Sequence, residues 1–64
     1  MCLATVYKKT NETEELVLKN TTKIYVEGNQ IRLIDIMGAE VVVEGSISFV
    51  DLTGGVVKIN CVVS

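Results

Sequence analysis

The strongest constraint on the fold is a succession of short apolar runs that are rich in β-branched residues and closely separated by turn residues. Helix formers are scarce, and no run approaches the roughly 18 consecutive apolar residues of a membrane-spanning helix. Short β-branched runs bounded by Gly and Asn are typical of antiparallel strands joined by tight turns. The sequence therefore predicts an all-β domain.

Candidate strands occur at residues 2–7, 16–18, 23–27, 30–36, 41–43, 46–52 and 56–63. Gly28 and Asn29 lie between two of these runs and suit the positive φ angles of a tight hairpin. Gly54 and Gly55 supply the turn of a second hairpin. The expected number of strands is six or seven.

The segments between the candidate strands are expected to be loops and turns. Polar residues 8–15 are typical of a solvated loop, and breaks are expected at residues 19–22, 37–40 and 44–45. After Leu33 the apolar positions change phase, and a strand with strict alternation cannot place them all on one face. A bulge or bend near Leu33 is therefore predicted.

Six or seven short strands in succession favour a small antiparallel β-barrel or a strongly curled sheet, formed by one domain over residues 1–64. An open sheet would expose the edges of very apolar strands such as 41–43 and 56–63 and promote aggregation. Barrel closure, dimerisation through an edge, or both would cover those edges. A domain of 64 residues buries only about 60% of its unfolded surface, so stabilisation by a partner subunit is also expected.

The absence of histidine excludes Ser/His/Asp and Cys/His catalytic arrangements and every zinc site that contains histidine. The five glycines lie where hairpin turns need them and form no phosphate-binding loop. The carboxylates that an acid/base pair would use, Asp35, Glu40, Glu44 and Asp51, are instead expected on a solvated rim. We therefore expect no enzyme.

Charge opposes a nucleic-acid partner, because six basic residues stand against eight acidic ones, a net charge of −2. Aromatic and basic residues come close together only at Tyr7 with Lys8 and Lys9, and at Lys23 with Tyr25. A small β-barrel that binds RNA or another protein, with no metal, nevertheless stays open as the alternative function.

The start of the chain has no signal-peptide pattern, because Lys8 and Lys9 follow the short apolar run instead of preceding it. The expected location is the cytoplasm, with no membrane association. Thiols stay reduced there, so Cys2 and Cys61 are expected as two free thiols and not as a disulfide. Cys61 falls on one face of the last candidate strand and is expected to be an inert packing residue.

Cys2 has a different chemistry because it lies beside the chain terminus. If Met1 is removed, an α-amine and a thiol stand on adjacent carbons; if Met1 stays, its amine, the Cys2 amide nitrogen and the thiolate form fused chelate rings. A metal displaces the protons of an α-amine and a thiol at small cost, because their pKa values lie near or only modestly above neutrality. One terminus supplies only part of a coordination sphere, and two termini on a dimer axis would offer two N and two S donors. Such a set suits Ni(II), and also Cu(II), whereas a plainly structural Cys2 is the other interpretation.

Three segments, "MCLATVY", "IYVEGNQIRLIDIMGAE" and "VEGSISFVDLTGGVVKI", resemble the CooT family of small nickel-binding proteins, in order and without large gaps. The resemblance implies a small β-rich homodimer that binds Ni(II) through Cys2. The chemistry of the terminus predicts a backbone nitrogen as the second donor, on Met1 if it stays or on Cys2 if Met1 is removed. The resemblance also implies a role in nickel supply, as a carrier or store, with carbon monoxide dehydrogenase or its maturation factors as partners. The turn "LTGGVV" carries no histidine, so no nickel ligand is expected there.

Overall fold

The computed structural model describes residues 3–61, which form five β-strands and no helix. The strands are β1 (Ala4–Thr10), β2 (Thr13–Glu27), β3 (Gln30–Asp35), β4 (Glu40–Asp51) and β5 (Val56–Cys61). The predicted all-β class is confirmed, and the predicted count of six or seven strands is wrong. Within residues 3–61 the chain has no helix long and apolar enough to cross a membrane. The strand positions expected at residues 2, 62 and 63 lie outside the described residues.

The count is lower because two long strands bend where interruptions were expected. Candidates 16–18 and 23–27 both belong to β2, which continues through Asn20 at a φ of 55°. Asn tolerates this left-handed conformation better than most residues, so the strand turns a corner there without ending. Candidates 41–43 and 46–52 likewise both belong to β4, which continues through Gly45.

Close approach of the neighbouring backbone explains the glycine at the bend of β4. A Cβ atom on Gly45 would collide with the backbone carbonyl of Asn60 on β5. On the other side, the Gly45 N–H donates a hydrogen bond of 2.8 Å to the carbonyl oxygen of Asn29. The turn predicted at residues 44–45 is therefore wrong: these residues continue the strand, and only a residue without a side chain fits the bend.

The solvated loop predicted at residues 8–15 is also wrong. β1 and β2 pair as far as Thr10 and Thr13, which leaves residues 11–12 as a two-residue turn. Lys8 and Glu15 face each other across this hairpin, with their charged groups 3.7 Å apart. The segment is polar because most of its side chains are exposed, and exposure alone does not separate a projecting hairpin from a loop.

The five strands form a closed barrel in sequence order, completed by parallel pairing between β1 and β5. The other four pairings are antiparallel. β2 pairs with β1 up to Thr21 and with β3 from Thr21 onward, whereas β4 pairs with β3 up to Glu44 and with β5 from Gly45 onward. Each of the two bent strands therefore pairs with one neighbour before its bend and with another neighbour after it.

Among residues 3–61 the core is small and consists of five buried apolar side chains, those of Val6, Ile31, Leu33, Val57 and Ile59. Their alternation along each strand follows the period of two of a pleated strand. β3 pairs with β4 without a register shift, so the bulge predicted near Leu33 is wrong. The irregularity lies on the partner strand, between Thr21 and Lys23.

Both predicted hairpin turns are present. Gly28, at a φ of 61°, and Asn29 join β2 to β3. Residues 52–55, which include the second glycine pair, join β4 to β5. The turn expected at residues 37–40 is also found, one residue earlier, at 36–39.

Candidate metal centre at the amino terminus

The chain enters the barrel beside the turn between β4 and β5. Met1 and Cys2, the two predicted metal ligands, lie outside the described residues, and Leu3 is the first residue whose surroundings are known. The Thr5 N–H donates a hydrogen bond of 2.8 Å to the Gly55 carbonyl oxygen. Ala4 pairs with Thr21 on the other side. We call the end of the barrel at which β1 begins the N-terminal end.

Two aspartates at the N-terminal end each hold a turn. The Asp51 carboxylate accepts backbone hydrogen bonds from Thr53 and Gly54, at 3.1 and 3.0 Å. The Asp35 carboxylate accepts corresponding bonds from Met37 and Ala39, at 2.9 and 2.8 Å. Carboxylates that accept backbone N–H groups in this way stabilise tight turns. Their observed role is therefore structural.

The other two carboxylates considered in the sequence lie elsewhere. Glu40 approaches the Arg32 guanidinium to 3.9 Å on the outer face of the sheet, and Glu44 lines a groove between β2 and β4. In the part of the chain that the structure describes, no three Cys, Asp or Glu side chains lie close enough together to hold a metal ion.

Cys61 lies at the other end of the barrel from Leu3. It ends β5, whose first residue, Val56, faces Thr5 near the start of β1. Cys61 is half-buried, carries a free thiol and packs against the core, as predicted for a packing residue. The free thiol predicted at Cys2 lies outside the described residues.

An apolar surface at the N-terminal end was not predicted from the sequence. Leu52 is 82% exposed and Met37 is 87% exposed, each in one of the two turns held by an aspartate. Ile36 is also exposed, and its N–H donates to the Asn20 carbonyl oxygen at the β2 corner. We call Ile36, Met37 and Leu52 the terminal patch. The sequence carried only a weak signal for this patch, because Met37 alone fell in a predicted turn, whereas Ile36 and Leu52 were assigned to candidate strands 30–36 and 46–52.

The cations that stack on aromatic rings are already paired with carboxylates. The Arg32 guanidinium lies 4.6 Å from the centre of the Tyr25 ring and 3.4 Å from a Glu27 carboxylate oxygen. Lys58 lies 5.7 Å from the centre of the Phe49 ring and 3.3 Å from a carboxylate oxygen of Glu14. Phosphate contacts need cations that are not neutralised in this way, so these two rings do not favour the RNA-binding alternative.

Together these features define a small all-β protein whose five described strands close into a barrel. Residues 1–60 match the family model of the CO dehydrogenase accessory protein CooT. The chain therefore belongs to the CooT family, as the resemblance in sequence predicted.

The fold has a known counterpart. A crystal structure of a proposed CooT from Carboxydothermus hydrogenoformans is similar to this chain with a TM-score of 0.86 and 21% sequence identity. The similarity covers 97% of this chain and 100% of that one. No curated protein sequence matches the chain.

Proposed function

We propose that this protein is a Ni(II) carrier or store in which the amino termini of two copies hold the metal. The observation that carries the proposal is the Met1-Cys2 terminus in a chain whose family match begins at its first residue. The family description names CO dehydrogenase, for which the protein would be an accessory and not itself a catalyst. A cytoplasmic nickel enzyme of that kind, or one of its maturation factors, would receive the metal.

The chemistry of the terminus supports a nickel ligand set. The Cys2 thiolate is a soft donor, and the adjacent backbone nitrogen, on Met1 or on Cys2 itself, closes a chelate ring with it. Two such termini offer two N and two S donors, which suit a square-planar Ni(II) ion.

The terminal patch supports a dimer that brings two termini together. Its three apolar side chains lie in the two turns that flank the start of β1. Large apolar side chains exposed in one region of a monomer mark an interaction surface. A two-fold axis through this end would cover the patch and place the Cys2 residues of both copies near each other.

A titration with Ni(II) tests the proposal. We expect thiolate-to-metal charge-transfer absorption that saturates at one Ni(II) per two chains, and its loss in Cys2→Ser. Cys61→Ser is the matched control, because that thiol packs at the opposite end of the barrel, and it should leave the absorption unchanged. Native mass spectrometry gives the number of chains and metal ions directly. An unchanged signal in Cys2→Ser would refute the proposal.

A further inference from the structure

The second half of β4 is exposed on both faces of the strand at residues 46–50, which we call the β4 edge segment. Ile47 and Val50 lie opposite buried core residues of β5, yet they are 37% and 47% exposed. Phe49 lies on the outer face and is 50% exposed. Three large apolar side chains therefore remain accessible within five consecutive strand residues.

The backbone of the β4 edge segment has a paired neighbour on one side. β5 pairs with it there. On the other side, the pairing with β3 ends at Glu44, and the Gly45 N–H donates to the Asn29 carbonyl oxygen in the turn before β3. Among residues 3–61, no strand pairs with the edge segment on that side. Ile47 follows Gly45 by two residues, so its N–H and C=O groups point to this free side.

The ends of the described chain lie away from the free side. Cys61 pairs with Gly45 on the side of β4 that β5 occupies. β1, where the chain enters the barrel, is separated from β4 by β5, and two strand spacings amount to about 10 Å. A two-residue extension from Leu3 reaches at most about 7 Å. The free side is therefore beyond the reach of the amino terminus of the same chain.

A free apolar edge of this kind can pair with the same edge of a second copy. Its sequence, Ser-Ile-Ser-Phe-Val, contains neither a charge nor a proline, the residues that commonly block such pairing. A two-fold axis would place identical segments side by side, so the contact would be self-complementary. Combined with a dimer contact elsewhere on the barrel, this second self-pairing surface would produce an open-ended chain of copies instead of a closed dimer.

The β4 edge segment contains one irregularity, at Ser48. Its neighbours Ile47 and Phe49 pair with consecutive residues of β5. Ser48 is therefore an extra residue with no partner of its own, and its hydroxyl donates a hydrogen bond of 3.2 Å to the Lys58 carbonyl oxygen. We call this irregularity the Ser48 bulge. A bulge bends its strand and increases the local twist, which turns an edge away from the straight path that pairing requires.

We propose that the Ser48 bulge prevents a second copy from pairing with the β4 edge segment and so restricts self-association to one surface of the barrel. The bulge takes the place of the charges and prolines that this segment lacks. Deletion of Ser48 would join Ile47 directly to Phe49, and their partners on β5 would then follow in unbroken register. Only the identity of the one remaining surface, the terminal patch, rests on the proposed dimer.

Sedimentation velocity of the full chain over a concentration series tests the proposal by deletion of Ser48. The deletion is expected to shift the protein from the wild-type size to larger species, whose share increases with concentration. Phe49→Glu in the deleted chain should restore the wild-type size, because a charge blocks edge pairing and lies opposite Lys58 on β5. A deleted chain that keeps the wild-type size at every concentration overturns the proposal, and so does association that Phe49→Glu leaves unchanged.

Ser48→Val and Ser46→Val are a matched pair that keeps the length of the chain. Both replace an exposed serine of β4 by valine, but Ser46 lies in regular register opposite Asn60. Ser48→Val also removes the hydrogen bond to Lys58. It should form the larger species at roughly fivefold lower concentration than Ser46→Val, which corresponds to one hydrogen bond of about 1 kcal/mol. Circular dichroism checks that both variants are folded, and equal association of the two overturns the proposal.

The size of the wild type tests the proposed dimer separately. A wild type that is monomeric at every concentration refutes the dimer at the terminal patch. The Ser48 bulge is judged only by the change in size between the wild type and its variants, so the two failures have different results.

Discussion

Leu52→Ala is expected to weaken the proposed dimer and, through it, the nickel site. Leu52 is 82% exposed in the described chain and lies in the turn beside the start of β1. The substitution removes apolar surface from the terminal patch. It changes neither the proposed metal ligands nor any of the five buried core residues.

The exposure of Leu52 gives the expected size of the effect on the dimer dissociation constant. Leucine exceeds alanine by roughly three carbons, and at about 0.8 kcal/mol per buried carbon these contribute roughly 2.4 kcal/mol when fully covered. With 82% of the side chain available to be covered, the loss is up to about 2 kcal/mol per copy and about 4 kcal/mol per dimer. Because about 1.4 kcal/mol corresponds to a factor of ten, the dimer dissociation constant should rise by a factor of about 10² to 10³.

Sedimentation equilibrium over a dilution series measures this dissociation constant. Val26→Ala is the control, because Val26 is also well exposed but lies beside the Gly28 hairpin, which contacts the other end of the barrel. It should change the constant by less than about threefold. A Leu52→Ala constant equal to that of the wild type, or an equal effect of Val26→Ala, would refute the assignment of the terminal patch.

Nickel binding distinguishes a wrong assignment of the dimer interface from a wrong assignment of the metal ligands. In Leu52→Ala the charge-transfer absorption should be lost in dilute protein and recover at concentrations where the variant dimerises. In Cys2→Ser it should be absent at every concentration. Absorption that is independent of protein concentration in both the wild type and Leu52→Ala would mean that one terminus suffices for the metal.

Two more predictions concern the fold and the ligands. Gly45→Ala should lower the free energy of unfolding by about 3 kcal/mol in urea denaturation, because its Cβ would meet the Asn60 backbone carbonyl. Gly28→Ala, with open space around its Cβ but a φ of 61°, should lower it by only about 1 kcal/mol, and equal losses in the two variants would contradict the collision. Ni(II) affinity should rise with pH, because protons compete with the metal for the thiolate and the backbone nitrogen; calorimetry at several pH values measures it, and a constant affinity would speak against a thiolate ligand.

Much of the fold could be predicted because several local signals agree with the final structure. The glycine turns at residues 28 and 54–55 mark hairpins whose strands lie next to each other in sequence. The alternation of Ile31 with Leu33, and of Val57 with Ile59, identifies the buried face of two strands. These signals depend only on residues that are close in sequence, so they can be interpreted without knowing how the strands pair over long distances.

The strand count could not be predicted because a bend within a strand and a turn between strands use the same residue types. Asn20 and Gly45 have the sequence features of turns, yet β2 and β4 continue through them to pair with a second neighbour. Only contacts between residues distant in sequence distinguish a bend from a turn. At Gly45 these contacts are the hydrogen bond to the Asn29 carbonyl oxygen and the close approach of the Asn60 backbone. Of the candidate site, Cys2 is proposed as a ligand from chain position and chemistry alone, whereas the terminal patch depends on which turns lie near the start of β1.

The small core gives a physical reason for metal binding and dimerisation to be coupled. Five buried apolar side chains stabilise the described barrel, while three large apolar residues remain exposed at the end where β1 begins. In the proposed dimer a second copy would cover those residues and complete the ligand set in one step. Linkage would then require that Ni(II) tighten the dimer by the same factor by which dimerisation tightens Ni(II). Transfer of the ion to a recipient would accordingly be favoured by any contact that separates the two copies, because in the proposed site each terminus supplies only half of the donors.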